Sequence, residues 1–297
     1  MNLRIPLTDL GRFPRKHARF SKNRKAPVTI CIAAICENGQ KVVACADRMI
    51  TIGMLSREFE HTRSKIIPLS KTCLMMTAGP ALRDIDLQKH VLRAISGRAE
   101  IKLSEIVSGV KEGYQKARRQ KIEELFIKPR GLSLEEFLQS GRGLLPEAGM
   151  MIDESLATFD YGLDILVAGI DNEGAHVYYV ENPGTSECFD SIGYHAIGSG
   201  EPLAISSLIE SGYSGSMSLQ EAMWAVFEAK KRSENAPGVG KAADFTIIDS
   251  QQTLPFDAPA LEKLEQLYTE FLAEHEECFQ TLKPKLNTIP IPKSKPI

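Results

Sequence analysis

The stretch Thr29-Ile30-Cys31-Ile32-Ala33-Ala34-Ile35-Cys36-Glu37-Asn38-Gly39-Gln40-Lys41-Val42-Val43-Ala44-Cys45-Ala46 decides how the rest of the chain must fold. Two apolar runs flank Asn38-Gly39, the dipeptide that most readily takes the positive φ angles of a tight turn, so a β-hairpin is expected. Neither run alternates between apolar and polar residues. Strands that are apolar at successive positions are covered on both faces, which calls for one packed layer above the hairpin and another below it.

Working outward, residues 65–69 and 73–78 form a second strand pair, closed by Gly79. Leu82, Ile85, Val91, Leu92 and Ile95 recur at helical spacing over residues 81–95, and residues 103–125 carry a second, more polar helix. Strands resume at 163–170, turn at 171–174 and return through 176–180. A helix is expected from Pro202 through Leu208 and Ile209, because proline suits the first turn. Another follows Ser218, whose hydroxyl and Glu221 make a capping box. Residues 245–248 supply the closing strand. Strand runs alternating with paired helices favour an α+β domain over a parallel βαβ sheet. A four-layer αββα sandwich satisfies this order.

The expected domain spans residues 29–257, with a helical insertion at 126–160 marked by Pro129, Gly131, Gly141, Gly143 and Pro146. Residues 258–297 add an amphipathic helix to about 280, followed by a loose tail from about 282. Residues 1–28 form a basic extension, with eight Lys and Arg against Asp9 alone, beneath a net charge of only −2 for the chain. The folded part therefore has no basic excess, which argues against nucleic-acid binding. No run approaches the roughly 20 apolar residues of a membrane span, and a cytoplasmic protein is expected. The six cysteines, Cys31, Cys36, Cys45, Cys73, Cys188 and Cys278, are scattered and are expected to be buried thiols. The six histidines show no metal-ligand spacing, so neither metal nor cofactor is expected.

These ordered features resemble the proteasome β-subunit branch of the N-terminal-nucleophile hydrolases, particularly its small bacterial and archaeal proteasome-like members. The likeness runs from about Thr29 to Asp249, interrupted at 126–160. It implies that Thr29, opening the first strand, attacks a scissile carbonyl while its own α-amine takes the proton. A free α-amine has a pKa of roughly 8, close to operating pH. Asp47, in Ala46-Asp47-Arg48, and Lys65, in Ser64-Lys65-Ile66, correspond to the carboxylate and the cation beside the nucleophile. Gly79, in Thr77-Ala78-Gly79, corresponds to the oxyanion-hole glycine, and Thr51 to a position whose main chain pairs with extended substrate. Ser199, in Gly198-Ser199-Gly200, corresponds to the serine near the amine. The sequence departs from the pattern at residues 232–240: Glu234 stands for the usual aspartate, and Pro237 replaces a serine, offering neither an N–H nor a hydroxyl.

The resemblance implies a threonine-type hydrolase or endopeptidase acting on peptide or other amide bonds, working as a homo-oligomer of which a ring is one form. It requires Thr29 to become residue one. Residues 1–28 are either a propeptide, although Val28 stands where glycine usually precedes the threonine, or an upstream addition to a chain initiated at a GTG codon for Val28. The second is the expectation. Two rival functions share the sequence: a non-catalytic ring scaffold, and an acylase for a small non-peptide amide.

Overall fold

The computed structural model describes residues 29–52, 57–62, 64–96, 102–140 and 146–289. The expectations for residues 1–28 and for the last part of the tail, 290–297, lie outside the described residues.

Strands β1 (Cys31–Cys36) and β2 (Lys41–Asp47) form the expected antiparallel hairpin, in register from Cys31 opposite Ala46 to Cys36 opposite Lys41. Glu37, Asn38 and Gly39 all take positive φ in the turn. A short ribbon of β3 (Met49–Ile52) and β4 (Arg57–Glu60) follows, which sequence reading did not separate. Three of the four residues of β4 are charged, so it has no apolar run. Next come β5 (Ile66–Pro68), β6 (Cys73–Ala78), α1 (Ala81–Ile95) and α2 (Leu103–Ile122). After α2 the helix widens into a π turn at Glu123–Ile127 and tightens to a 3-10 turn at Lys128–Arg130 before α3 (Leu134–Ser140) and α4 (Pro146–Thr158), where Ile127, Phe137 and Ile152 bury one another in a small cluster of their own.

The second half runs through β7 (Asp164–Asp171), β8 (Gly174–Glu181), β9 (Thr185–Cys188), β10 (Tyr194–Ile197), α5 (Glu201–Glu210), α6 (Leu219–Ser233), β11 (Ala243–Ile248), β12 (Thr253–Pro255) and α7 (Ala258–Leu286). The Ser218–Glu221 capping box opens α6 as expected. Helix α7 continues to Leu286 with Pro284 inside it, so residues 282–286 are helical and not a loose tail.

Two five-stranded antiparallel sheets result, one ordered β10-β1-β2-β11-β12 and the other β5-β6-β7-β8-β9. They stack face to face. Cys31, Ala33 and Ile35 of β1 and Val42, Ala44 and Ala46 of β2 meet Leu74, Met76, Leu166 and Ala168 of the opposite sheet. The other residues of the hairpin, Ile32, Ala34, Val43 and Cys45, face α5 and α6 through Leu208, Val226 and Phe227. On the far side, Cys73, Met75, Ile165 and Val167 pack against Val91, Ile106 and Tyr114 of α1 and α2. This is the four-layer αββα sandwich, and it explains why the hairpin is apolar at every position.

The cysteine reading holds for Cys31, Cys36, Cys45 and Cys73 and fails for Cys188 and Cys278, which are exposed. Cys188 ends the edge strand β9, and Cys278 lies on a part of α7 where every residue is exposed. No helix among the described residues is long and apolar enough to cross a membrane.

Candidate active site

Strand register brings the site together. Continuing the β1–β2 pairing by one step sets Ile30 opposite Asp47, and continuing β1–β10 by two steps sets Thr29 opposite Ser199. The same Asp47 pairs with Ala243 at the start of β11. Thr29 and Asp47 are both buried, at 1% and 0% exposure.

Asp47 is the hub. Its Oδ1 accepts hydrogen bonds from the Thr29 hydroxyl, from Lys65 Nζ at 2.7 Å and from the Ile30 N–H at 3.2 Å, while Oδ2 accepts from the Gly240 N–H at 2.8 Å. Lys65 Nζ also donates to Thr29 Oγ1. A buried carboxylate is tolerable only when its lone pairs are filled and a countercharge is close, and both conditions are met here. The ammonium is largely enclosed, with 16% of its side chain exposed. The Thr29 oxygen thus sits between a cation and an anion, drawn from segments 18 and 36 residues away.

The Thr29 N–H donates to Ser199 Oγ at 3.3 Å. Ser199 Oγ lies 2.9 Å from the carbonyl of Pro237 and 3.4 Å from that of Thr29, so its one proton goes to the nearer acceptor and its lone pair is left for the Thr29 nitrogen. Pro237 therefore takes part through its carbonyl, although its ring removes a donor. The Thr29 carbonyl is held in turn by the Gly200 N–H at 3.2 Å. Gly198 has to be glycine: φ is +106°, and a Cβ there would lie 2.3 Å from the Thr29 carbonyl oxygen.

Gly79 follows the end of β6 at φ +141°, where a Cβ would lie 2.3 Å from the Gly162 carbonyl oxygen. The Cys31 thiol donates to the Thr77 carbonyl at 3.7 Å, which joins the start of β1 to the end of β6 and puts Thr29 and Gly79 at one end of the sandwich. Burial pushes the thiols of Cys31 and Cys45 far above their usual range, so these neighbours stay protonated and are poor nucleophiles. Thr51 lies in β3, opposite Glu58 of β4.

Glu234 is engaged elsewhere. Its carboxylate pairs with the buried Lys230 and lies 3.7 Å from Lys231 Nζ, and Lys230 also donates to the Lys241 carbonyl. No hydrogen bond joins Glu234 to Thr29 or Ser199 among the described residues; its pair with Lys230 instead braces the loop that carries Pro237 and Gly240. The groups that sequence reasoning missed are main-chain ones: the N–H groups of Ile30 and Gly240 on Asp47, and the Pro237 carbonyl on Ser199. Gly238-Val239-Gly240 is visible in the sequence as a glycine-rich stretch, but nothing in it says where its N–H groups point.

The model of the proteasome subunit family matches residues 149–233, which run from α4 through α6 and include Ser199. Proteasome subunit beta 2 of Thermofilum pendens is 37% identical over 108 residues, covering 35% of this chain and 50% of that protein. Proteasome subunit beta 1 of Korarchaeum cryptofilum is 38% identical over 88 residues, and proteasome subunit beta 2 of Pyrobaculum calidifontis 39% over 87, each covering 29% of this chain and 41% of the relative. The chain thus spans half or less of the length of these relatives. Taken with the αββα sandwich, these likenesses support a proteasome β-like chain of the N-terminal-nucleophile hydrolase type.

Proposed function

We propose that the chain is a threonine-type hydrolase of peptide or other amide bonds with Thr29 as its nucleophile. One observation carries this reading: the Thr29 hydroxyl is in direct contact with both Asp47 and Lys65, while its nitrogen faces Ser199 Oγ.

Once the bond before Thr29 is cut, its nitrogen becomes an α-amine and can serve as the base that an internal amide cannot. Thr29 Oγ then bonds to the scissile carbonyl carbon, and its proton passes to the amine. Lys65, held by Asp47, stabilises the negative charge that develops on Oγ, and the Gly79 N–H receives the oxyanion. Collapse breaks the C–N bond, the leaving amine takes the proton, and water hydrolyses the ester. Ser199 holds the amine through a lone pair kept available by the Pro237 carbonyl, and the β3 main chain around Thr51 lines extended substrate. Glu234 acts one step removed, by bracing the loop. We further propose that the protein works in the cytoplasm as a homo-oligomer, in keeping with relatives named as subunits, and that residues 126–160 are an insertion into one domain.

The test is the intact mass of the native protein together with hydrolysis of fluorogenic peptides and acyl-amides by the wild type and Thr29→Ala. The expected result is a chain beginning at Thr29, active in the wild type and reduced by at least about a thousandfold in the variant. A stable chain that keeps residues before Thr29 and hydrolyses nothing overturns it. The scaffold reading, which the engagement of Glu234 with Lys230 favours, would then stand.

A further inference from the structure

Helix α7 is two different objects end to end. At about 1.5 Å per residue it is about 44 Å long. Its first half is docked: Leu264 is buried, Leu261 and Tyr268 pack against the core under α6, and the Phe271 ring lies 5.8 Å from that of Trp224. From Leu272 to Ile289 every residue is exposed.

This free half is not polar all round. Leu272, His275, Phe279, Leu282 and Leu286 follow one another at spacings of three, four, three and four, and Ile289 continues the series just past the helix end. That is the a/d repeat of a coiled-coil seam. Its members stand in solvent, Phe279 at 43%, Leu282 at 44% and Leu286 at 47%. A lone helical segment of this length is marginal in water, and an apolar stripe on it adds an unmet driving force. Pro284, inside the helix, falls at the position opposite the seam.

The charges beside the seam choose the occupant. Glu276 and Lys283 both lie at e positions. If two copies run antiparallel with Phe279 level with Leu282 of the other copy, each Glu276 meets the other copy's Lys283, twice by symmetry. In a parallel pair Glu276 would meet Phe271 and Lys283 would meet Cys278, with no charge matched. Among the described residues, Glu276 accepts a neutral hydrogen bond from Gln280 in the same helix, and the Lys283 ammonium rests 5.6 Å from the Phe279 ring centroid. We propose that the second half of α7 pairs with the same segment of a second copy of this chain as a two-stranded antiparallel coiled coil. The contact is separate from the Thr29 site and stands whether or not that site hydrolyses amides.

The test is the mass of the full chain in solution, by sedimentation, for the wild type, Leu282→Glu, Glu276→Lys, Lys283→Glu and the double charge exchange. Leu282 is exposed, so its substitution leaves the fold intact, which circular dichroism checks. Leu282→Glu is expected to weaken association by at least about tenfold and to halve the mass of whatever assembly the wild type forms. Each single charge change is expected to weaken association several-fold, and the double exchange to restore it, because a swapped pair is matched again. A wild-type mass that is monomeric, a mass unmoved by Leu282→Glu, or a double exchange no better than the worse single change overturns the proposal.

Discussion

Asp47→Asn is the change whose cost the structure states most directly. The carboxylate receives three donors on Oδ1 and one, the Gly240 N–H at 2.8 Å, on Oδ2. An asparagine keeps its single oxygen where three donors converge and turns its NH2 toward Gly240, so two donors face each other in a fully buried place. An unsatisfied buried N–H costs about 1–3 kcal/mol. Lys65 loses its countercharge with only 16% of its side chain exposed, which adds about 1.5–3 kcal/mol for a hydrogen bond to a charged group. The sum, about 2.5–6 kcal/mol, brackets the usual cost of breaking a buried ion pair, about 3–5 kcal/mol. Urea unfolding followed by circular dichroism at one protein concentration measures it. The expected result is a lower midpoint at unchanged slope. Adding Lys65→Met removes the stranded cation and is expected to return at least about 1 kcal/mol, since contacting residues couple. A single-variant cost below about 1 kcal/mol, or a double variant equal to the sum of the singles, would show that Asp47 is not the hub described.

Gly198→Ala is expected to cost about 1–3 kcal/mol and to lower hydrolysis in parallel, because the new Cβ at φ +106° pushes on the Thr29 carbonyl; melting temperature and peptide turnover should fall together. His176 lies between Asp190 at 2.6 Å and Asp171 at 3.2 Å; burial alone would lower its pKa, but the bonds and charges of the two carboxylates outweigh this and raise it. A raised folded-state pKa means its stabilisation is full below the unfolded value of 6.5 and fades as pH rises through the folded value, so the deficit of His176→Gln should be largest in mild acid and shrink toward alkaline pH. His195 behaves oppositely: burial, with its ring stacked 3.9 Å from that of Phe189, lowers it to about 4. It therefore withdraws stability as pH falls from 6.5 to about 4, and His195→Phe should flatten that limb of the unfolding profile.

What was legible in the sequence was what depends on neighbours in the chain. The Asn38-Gly39 hairpin and the Ser218–Glu221 cap are set within a few residues, and both formed as read. The double-sided burial of β1 and β2 was legible because two short unbroken apolar runs joined by Asn38-Gly39 are strands with no polar face. Strands β9, β10 and β12 escaped because three- or four-residue segments owe their extension to a partner strand and have no period of their own. At the candidate site, the resemblance pointed to Thr29, Asp47, Lys65 and Ser199, and the structure brings the Thr29 hydroxyl against Asp47 and Lys65 and its nitrogen against Ser199. The Ile30, Gly240 and Pro237 main-chain groups were not legible, since any residue supplies an N–H or a carbonyl and only the fold aims it. Glu234 stands apart from Thr29 for a related reason: its position one helical turn after Lys230 offers a local partner, and the local pair forms.

Strand β1 contributes alternate residues to two separate cores, the one between the sheets and the one beneath α5 and α6. No solvent-facing position exists along it, and the strand cannot separate from its neighbours without opening both cores at once. Its amides should therefore exchange with deuterium only through global unfolding, among the slowest in the molecule. The Thr29 oxygen is anchored two residues before that strand, so its placement inherits the rigidity of the whole sandwich.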